Sequence, residues 1–274
     1  MTRQLEKWAD QIEAGLAQEK IAAVVTGGTV KPTRIMIDVV IADPLPPRAR
    51  LAEWIGAALD RDVSVVLRPG GIRVVMVLPG QNDVDAIIDQ YSGQIPPACA
   101  VLGLRDDGGP LLLRIPAINV QHTLILGPQG RELLRAACYG LAATNRPEHL
   151  QIANFRLNQW GQAGQPLDQT LAAVVAEIDR RERDGAGLPV LIVAIPELAK
   201  ADPDCTTRIL WRGAGVGVYC FAATAANKSP GVFRTVIWWL DGDRYQLTIS
   251  GEASYFSAAT VQRRKQGENK NGNR

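Results

Sequence analysis

Apolar residues recur at helical spacing at the start of the chain, at Leu5, Trp8, Ile12 and Leu16, with polar and charged residues between them. This spacing predicts an amphipathic helix over residues 2–19. The period then shortens. Residues 21–26 and 33–41 read as strands on either side of a Gly27-Gly28 turn. Pro44, Pro46 and Pro47 interrupt the pattern and prime a helix over 48–59. Two short β-branched runs, 63–67 and 72–78, flank Arg68-Pro69-Gly70-Gly71 as a hairpin does. A short helix is expected over 83–91, and Pro96-Pro97 marks a boundary. Residues 20–95 are thus expected to form a small α+β domain behind the N-terminal helix at 1–19.

From residue 98 the organisation changes. Residues 98–104 and 111–115 flank Asp106-Asp107-Gly108-Gly109 as a second hairpin. Apolar runs follow at 123–126, 150–155, 190–195, 218–223, 235–240 and 245–249, with helical stretches at 131–143, 167–183 and 204–212 among them. Strands alternating with helices predict an α/β fold: a mostly parallel sheet with an antiparallel edge near the C-terminus, over residues 96–260. Residues 261–274 are polar and basic without a large apolar side chain and are expected to be a disordered tail.

Composition adds limits. A chain of 274 residues with 46% hydrophobic residues has ample material for a core, and a formal net charge of +2 does not argue for nucleic acid by itself. No apolar run reaches the length of a bilayer span and the N-terminus lacks a secretory apolar region, so a cytoplasmic protein is expected. The four cysteines, Cys99, Cys138, Cys205 and Cys220, lie far apart, and only His122 and His149 are available to join them. Neither a metal site nor a cofactor is expected.

The segment with most chemical content is residues 121–134, QHTLILGPQGRELL. A strand runs into Gly127-Pro128-Gln129-Gly130 and then a helix, which is the layout of a phosphate-binding loop, G-x-x-x-x-G-K-[ST]. In such a loop backbone amides cradle phosphates, a lysine reaches the β- and γ-phosphates, and a hydroxyl holds Mg²⁺. Here the second glycine position is Glu132, the lysine position Leu133 and the hydroxyl position Leu134. Two readings stand. The amides of Gly127–Leu134, with Arg131 beside them, bind nucleotide unaided; or a helix N-terminus kept its turn and lost its ligand. Glu132 in the first turn, which repels an anion, favours the second.

Several further segments occur in a telling order: VLGLRDDGGPLLLRIP at 101–116, the loop strand at 121–127, LPVLIVAIPELA at 188–199 and RGAGVGVYCFAAT at 212–224. In this order the chain resembles the motor region of the FtsK/SpoIIIE family of DNA translocases, which are RecA-like ring ATPases related to HerA. The resemblance covers about residues 20–250. It implies a RecA-like P-loop core, preceded by a small α+β domain at one end of a ring. It also implies an oligomer, double-stranded DNA as a partner, Thr224 as a sensor residue, and Arg208 and Arg212 as arginines able to reach a neighbouring subunit. Surface ion pairing is the plainer reading of that arginine pair.

The departures bear on activity. The Walker B aspartate position is Pro196, leaving Glu197 as the one vestigial acidic residue at that strand end. Ala225 and Ala226 stand where the family carries Gln and Arg, and Asn154-Phe155-Arg156 stands for Asp-Pro-Lys. The expectation is a non-catalytic FtsK-like pseudo-ATPase. It would act as a DNA-associated scaffold, self-associated or as companion to an active ring ATPase. The alternatives are a divergent but active DNA-dependent ATPase, with Lys200 as the simple candidate for the missing lysine, and an interaction module without a nucleic-acid role.

Overall fold

The computed structural model describes residues 2–31, 34–42, 44–77, 82–105, 107–162, 164–185, 189–226 and 229–261. The expected basic tail lies almost wholly outside them.

The first helix, α1 (Thr2–Gln18), is followed by β1 (Ala23–Val30), β2 (Arg34–Ile41), α2 (Arg48–Leu59), β3 (Val63–Arg68) and β4 (Gly71–Val77). The strands form an antiparallel sheet in the order β1-β2-β4-β3. Alternation sets its faces: Ile35, Ile37, Val39, Ile72, Val74 and Met76 point toward the helices, where Ile12, Leu16, Leu51 and Ile55 complete a closed apolar cluster. On the opposite face Asp38 and Arg73, paired across β2 and β4, form a two-pronged ion pair at 2.6 and 2.7 Å.

A second sheet has ten strands. Its members are β5 (Cys99–Arg105), β6 (Pro110–Arg114), β7 (Thr123–Leu126), β8 (Leu150–Ala153), β9 (Gln159–Trp160), β10 (Val190–Ile195), β11 (Val218–Thr224), β12 (Thr235–Asp241), β13 (Arg244–Ile249) and β14 (Glu252–Ala258). They lie in the order β6-β5-β14-β13-β12-β7-β11-β10-β8-β9. From β12 to β9 neighbours are parallel; from β12 to β6 they are antiparallel. The mostly parallel α/β sheet with antiparallel edge strands is therefore observed, and the antiparallel part is wider than a single C-terminal edge. The strand β14 was not anticipated. Its run EASYFSA opens on small and polar residues, and only Phe256–Ala258 is buried.

Both faces of the parallel block are covered, which is why its strands read as continuous apolar runs. The helix α4 (Gly130–Thr144) lies on one face with Ile125, Ile192, Phe221 and Ile237. The helices α5 (Leu167–Asp184) and α6 (Pro203–Arg212) lie on the other with Leu124, Leu126, Val193 and Cys220. The short helix α3 (Val84–Gln90) puts Val84 and Ile87 against Val101, Leu104 and Ala136, so its apolar face packs with the larger sheet although it precedes Pro96-Pro97. The Asn82 carboxamide donates to Asp243 at 3.4 Å; burial raises the Asp243 carboxyl above its ordinary value, and the charge of Arg34, buried in the small sheet, opposes that rise.

Candidate functional site

The strand β7 sits where the chain order reverses. Its neighbours are β11 and β12, while the next strand in sequence, β8, lies two positions further along. In open α/β sheets a crevice opens at such a switch point, beyond the carboxyl ends of the strands. The loop 127–130, Asn154, Pro196 and Glu197 leave the sheet at that edge, beside Thr224 at the end of β11 and Trp239 near the end of β12. Topology thus brings together the loop, Walker B and sensor positions named from the sequence.

The loop is tight and turned inward. The Gly127 N–H donates to the Thr224 carbonyl at 3.0 Å, the Gly130 N–H to Gly127 at 3.1 Å, and the N–H groups of Glu132 and Leu133 both donate to the Gln129 carbonyl. Four amides in the segment where a phosphate cradle would form thus serve the chain's own carbonyls. The helix begins already at Gly130, with Gln129 as a cap that makes no side-chain bond. Arg131, Glu132, Leu133 and Leu134 are consequently helical. Arg131 and Glu132 are exposed, whereas Leu133 and Leu134 are buried at 1% and 3% exposure within the cluster between α4 and the sheet. Each such side chain contributes about 1.5–3 kcal/mol by leaving water.

Both loop glycines have packing reasons to be glycine. A Cβ at Gly127, whose φ is +116°, would lie 2.5 Å from the Cβ of Trp239, and its Cγ stands 3.2 Å away. A Cβ at Gly130 would meet Ile125 and Ala223 at 3.3 and 3.4 Å, because α4 approaches the sheet closely there. The Trp239 indole is fixed in turn by donating to the Gly242 carbonyl at 3.0 Å. Trp238 and Trp239, adjacent on β12, join opposite clusters. That Trp239 covers the loop carried no local signal.

Glu197 accepts from the Thr224 hydroxyl at 3.1 Å, joining the Walker B and sensor positions directly. Pro196 lines a cavity of about 570 Å³ with Arg131, Glu132 and Arg135. Lys200 is exposed in a single 3₁₀ turn after Glu197. Asn154 adopts a left-handed φ of +62° and donates to the Ala194 carbonyl at 3.0 Å, tying the end of β8 to β10. The two arginines of α6 are not part of this edge. Arg212 lies at the end of α6 that leads to the amino end of β11, and it binds Glu182 and Asp179 of α5, the latter at 2.6 Å. These bonds hold the Glu182 carboxyl below its ordinary range. Arg208 is exposed one turn earlier.

Outside the edge, the buried His122 and the partly exposed Glu177 have pKa values below their ordinary ones. His122, one residue before β7, accepts the Cys220 N–H on Nδ1 at 2.9 Å, and burial lowers its pKa to about 4, so the ring is neutral. Glu177 of α5 is brought down to about 2, chiefly by the Arg180 guanidinium and also by Arg181. Arg181 is itself buried and donates to the carbonyls of Val216 and Pro189. No group of three or more metal-ligating side chains occurs among the described residues, and none of their helices is long and apolar enough to cross a membrane.

No protein-family model matches the chain, and no curated protein matches it. Solved structures do. ATPases 2 and 3 of EssC from Geobacillus thermodenitrificans align over 68% of this chain at 15% identity, with a TM-score of 0.53. The conjugation coupling protein TcpA of pCW3, a monomer form with ATPγS, aligns over 93% at 13% identity and TM-score 0.48. The cytoplasmic domain of the type VII secretion ATPase EccC from Thermomonospora curvata aligns over 63% at 20% identity and TM-score 0.47. The chain covers 45% of that EssC chain, 96% of the TcpA chain and 30% of the EccC chain. Likeness at this identity establishes architecture alone: the chain has the mixed α/β, RecA-like P-loop fold that it shares with the EssC domains.

Proposed function

We propose that this chain is a non-hydrolysing member of the ATPase-fold proteins, acting as a scaffold or companion subunit beside an active ring motor on double-stranded DNA. The observation that carries the first half is the burial of Leu133 and Leu134. The positions that would present an ammonium and a hydroxyl to a triphosphate are occupied by core side chains, and the amides around them are bonded internally. Pro196 offers no carboxylate for Mg²⁺, and Glu197 is engaged by Thr224. Stabilisation of transferring phosphoryl groups by such contacts is worth orders of magnitude in rate each, so their joint loss leaves no route to turnover.

Assembly and DNA enter through the resemblance to translocase motors. Arg68 is exposed beside the β3–β4 turn and supports a phosphate contact, while Arg73 is held by Asp38 and does not. The test is ATPase measurement on the purified protein with and without duplex DNA, together with DNA binding as a function of salt and size measurement alone and with a co-expressed ring ATPase. The expected result is no turnover, with binding that weakens by about one unit of log–log slope per phosphate contact. Turnover that disappears in Glu197→Gln defeats the non-hydrolysing reading. Absence of DNA binding at low salt transfers the proposal to an interaction module without a nucleic-acid role.

A further inference from the structure

Among the described residues, β1 has β2 on one side and no strand on the other. The Ala42 N–H donates to the Ala22 carbonyl at 3.1 Å, which fixes the alternation along the pair. Ala22 and Val24 bond to β2, and Ala23 and Val25 turn their N–H and C=O groups to the open side. Of these four groups, the Val25 N–H alone is met among the described residues, donating to Glu13 of α1 at 2.7 Å. A bulge after Val25 ends the straight stretch. Edge strands are ordinarily shielded by a charge, a proline or a covering element. Residues 21–25 carry neither a charge nor a proline. An open groove of about 680 Å³ runs along them, lined by Asp10, Glu13, Ala14 and Ala17 of α1 and by Val24 and Val40 of the sheet. Val24 and Val40 oppose each other in register and are 59% and 48% exposed. The walls hold two carboxylates and no base, and neither carboxylate makes an ion pair among the described residues.

We infer that this groove takes an extended, basic and apolar segment of a partner protein, added to the small sheet as a fifth strand beside β1. The outward groups of Ala23 and the Val25 carbonyl supply the backbone bonds, and the side walls supply the selection. Side chains of an added strand alternate between its two faces. One set lies over Val24 and Val40 and removes their apolar surface from water. The other set faces α1, where Asp10 and Glu13 favour lysine or arginine. The same two carboxylates argue against a second copy of this chain. Pairing β1 with β1 across a two-fold axis presents the same patch from both sides, so it sets the acidic walls of two α1 helices along one seam, like charge against like. They also repel a phosphate backbone, so this edge is a protein-binding surface apart from any DNA contact.

The test is fluorescence anisotropy of the full chain with a short labelled peptide of alternating valine and lysine. Further arms are the same peptide N-methylated on its valines or on its lysines, and a peptide with glutamate in place of lysine. The parent peptide is expected to bind with a Kd below about 100 μM. N-methylation in one of the two phases is expected to abolish binding, because an added strand turns every second N–H toward β1. Asp10→Lys is expected to weaken binding about threefold or more. Glu148→Lys, the same charge change at an exposed site between α4 and β8, is expected to leave it unchanged. Asp10 is exposed as well, so equal thermal melts certify folding of both variants. No binding at millimolar peptide overturns the inference, as do binding that survives both phases of N-methylation, unchanged affinity in Asp10→Lys and equal affinity for the glutamate peptide. A dimer of the chain alone in sedimentation, dissociated by the peptide, overturns it in favour of a second copy.

Discussion

Trp239 stands over Gly127, so close that a Cβ on residue 127 would lie 2.5 Å from the Cβ of the tryptophan. The glycine that looks like the start of a phosphate loop is bare to admit an indole. Gly127→Ala meets both this contact and a φ of +116°, and is expected to cost about 3 kcal/mol in chemical denaturation. Combining it with Trp239→Gly, which takes away the Cβ as well as the indole, removes the contact and leaves the backbone strain, so the double variant is expected to lose less than the sum of the singles. Strict additivity would show that the two residues do not touch.

Rebuilding the loop chemistry is expected to harm the fold before it helps catalysis. Leu133→Lys places an ammonium at a position 1% exposed, and Leu134→Thr removes apolar volume from the same cluster. The triple change Glu132→Gly, Leu133→Lys, Leu134→Thr is expected to lower stability by about 4 kcal/mol or more and to give no ATP turnover. A stable, nucleotide-hydrolysing triple variant would refute the assignment of these positions to the core.

Acid sensitivity follows from His122 and Glu177. Both have folded pKa values below their ordinary ones, about 4 against 6.5 and about 2 against 4.5. The unfolded chain therefore binds more protons than the native one as pH falls, and stability present above the ordinary value is lost on the way down. His122 acts between pH 6.5 and 4, with a total of about 3 kcal/mol, and Glu177 acts below pH 4.5. Urea midpoints measured from pH 7.5 to 4.5 are expected to drop. The drop is expected to flatten in His122→Gln, which does not titrate.

Removing the carboxylate of Glu177 breaks its 2.7 Å ion pair with Arg181, which is 2% exposed at the amino end of the sheet. Glu177→Ala is expected to destabilise by about 3 kcal/mol. Glu182→Ala, whose ion pair with Arg212 is open to solvent, is expected to cost under about 1 kcal/mol. Equal thermal shifts for the two variants would contradict the distinction.

Packing of α3 sets where the chain divides. A truncation beginning at Asn82 keeps Val84 and Ile87 over Val101 and Ala136; one beginning at Ala98 uncovers that cluster. The first is expected to unfold cooperatively and the second to bind a hydrophobic dye. If the N-terminal unit mediates self-association, both are expected to be smaller than the full chain in light scattering. Dye binding by the fragment beginning at Asn82, and none by the one beginning at Ala98, would place α3 with the N-terminal sheet.

Periodicity was enough for the elements that bury one continuous face. The spacing of Leu5, Trp8, Ile12 and Leu16, the alternation around Asp38, and the apolar runs at 123–126 and 190–195 each correspond to an element of the structure. Burial acts on a residue according to its neighbours in sequence there, so the pattern is local. The strand at 252–258 escaped because half of it faces solvent and it is held by pairing with β13 and β5, which are near in space and, for β5, far in the chain.

The sequence by itself determined most of the order of strands and helices, the phosphate-loop layout at 123–130 and the replacement of its chemical residues by Leu133, Leu134 and Pro196. Tertiary structure alone decided what those replacements do. Whether a leucine faces an empty site or a core depends on where α4 starts and how near it lies to the sheet. The cover of Trp239 on Gly127, the tie of Arg212 to α5 and the bond of Glu197 with Thr224 join residues tens of positions apart or more. Such contacts arise from chain topology and close packing, which leave no periodic trace in the segments they connect.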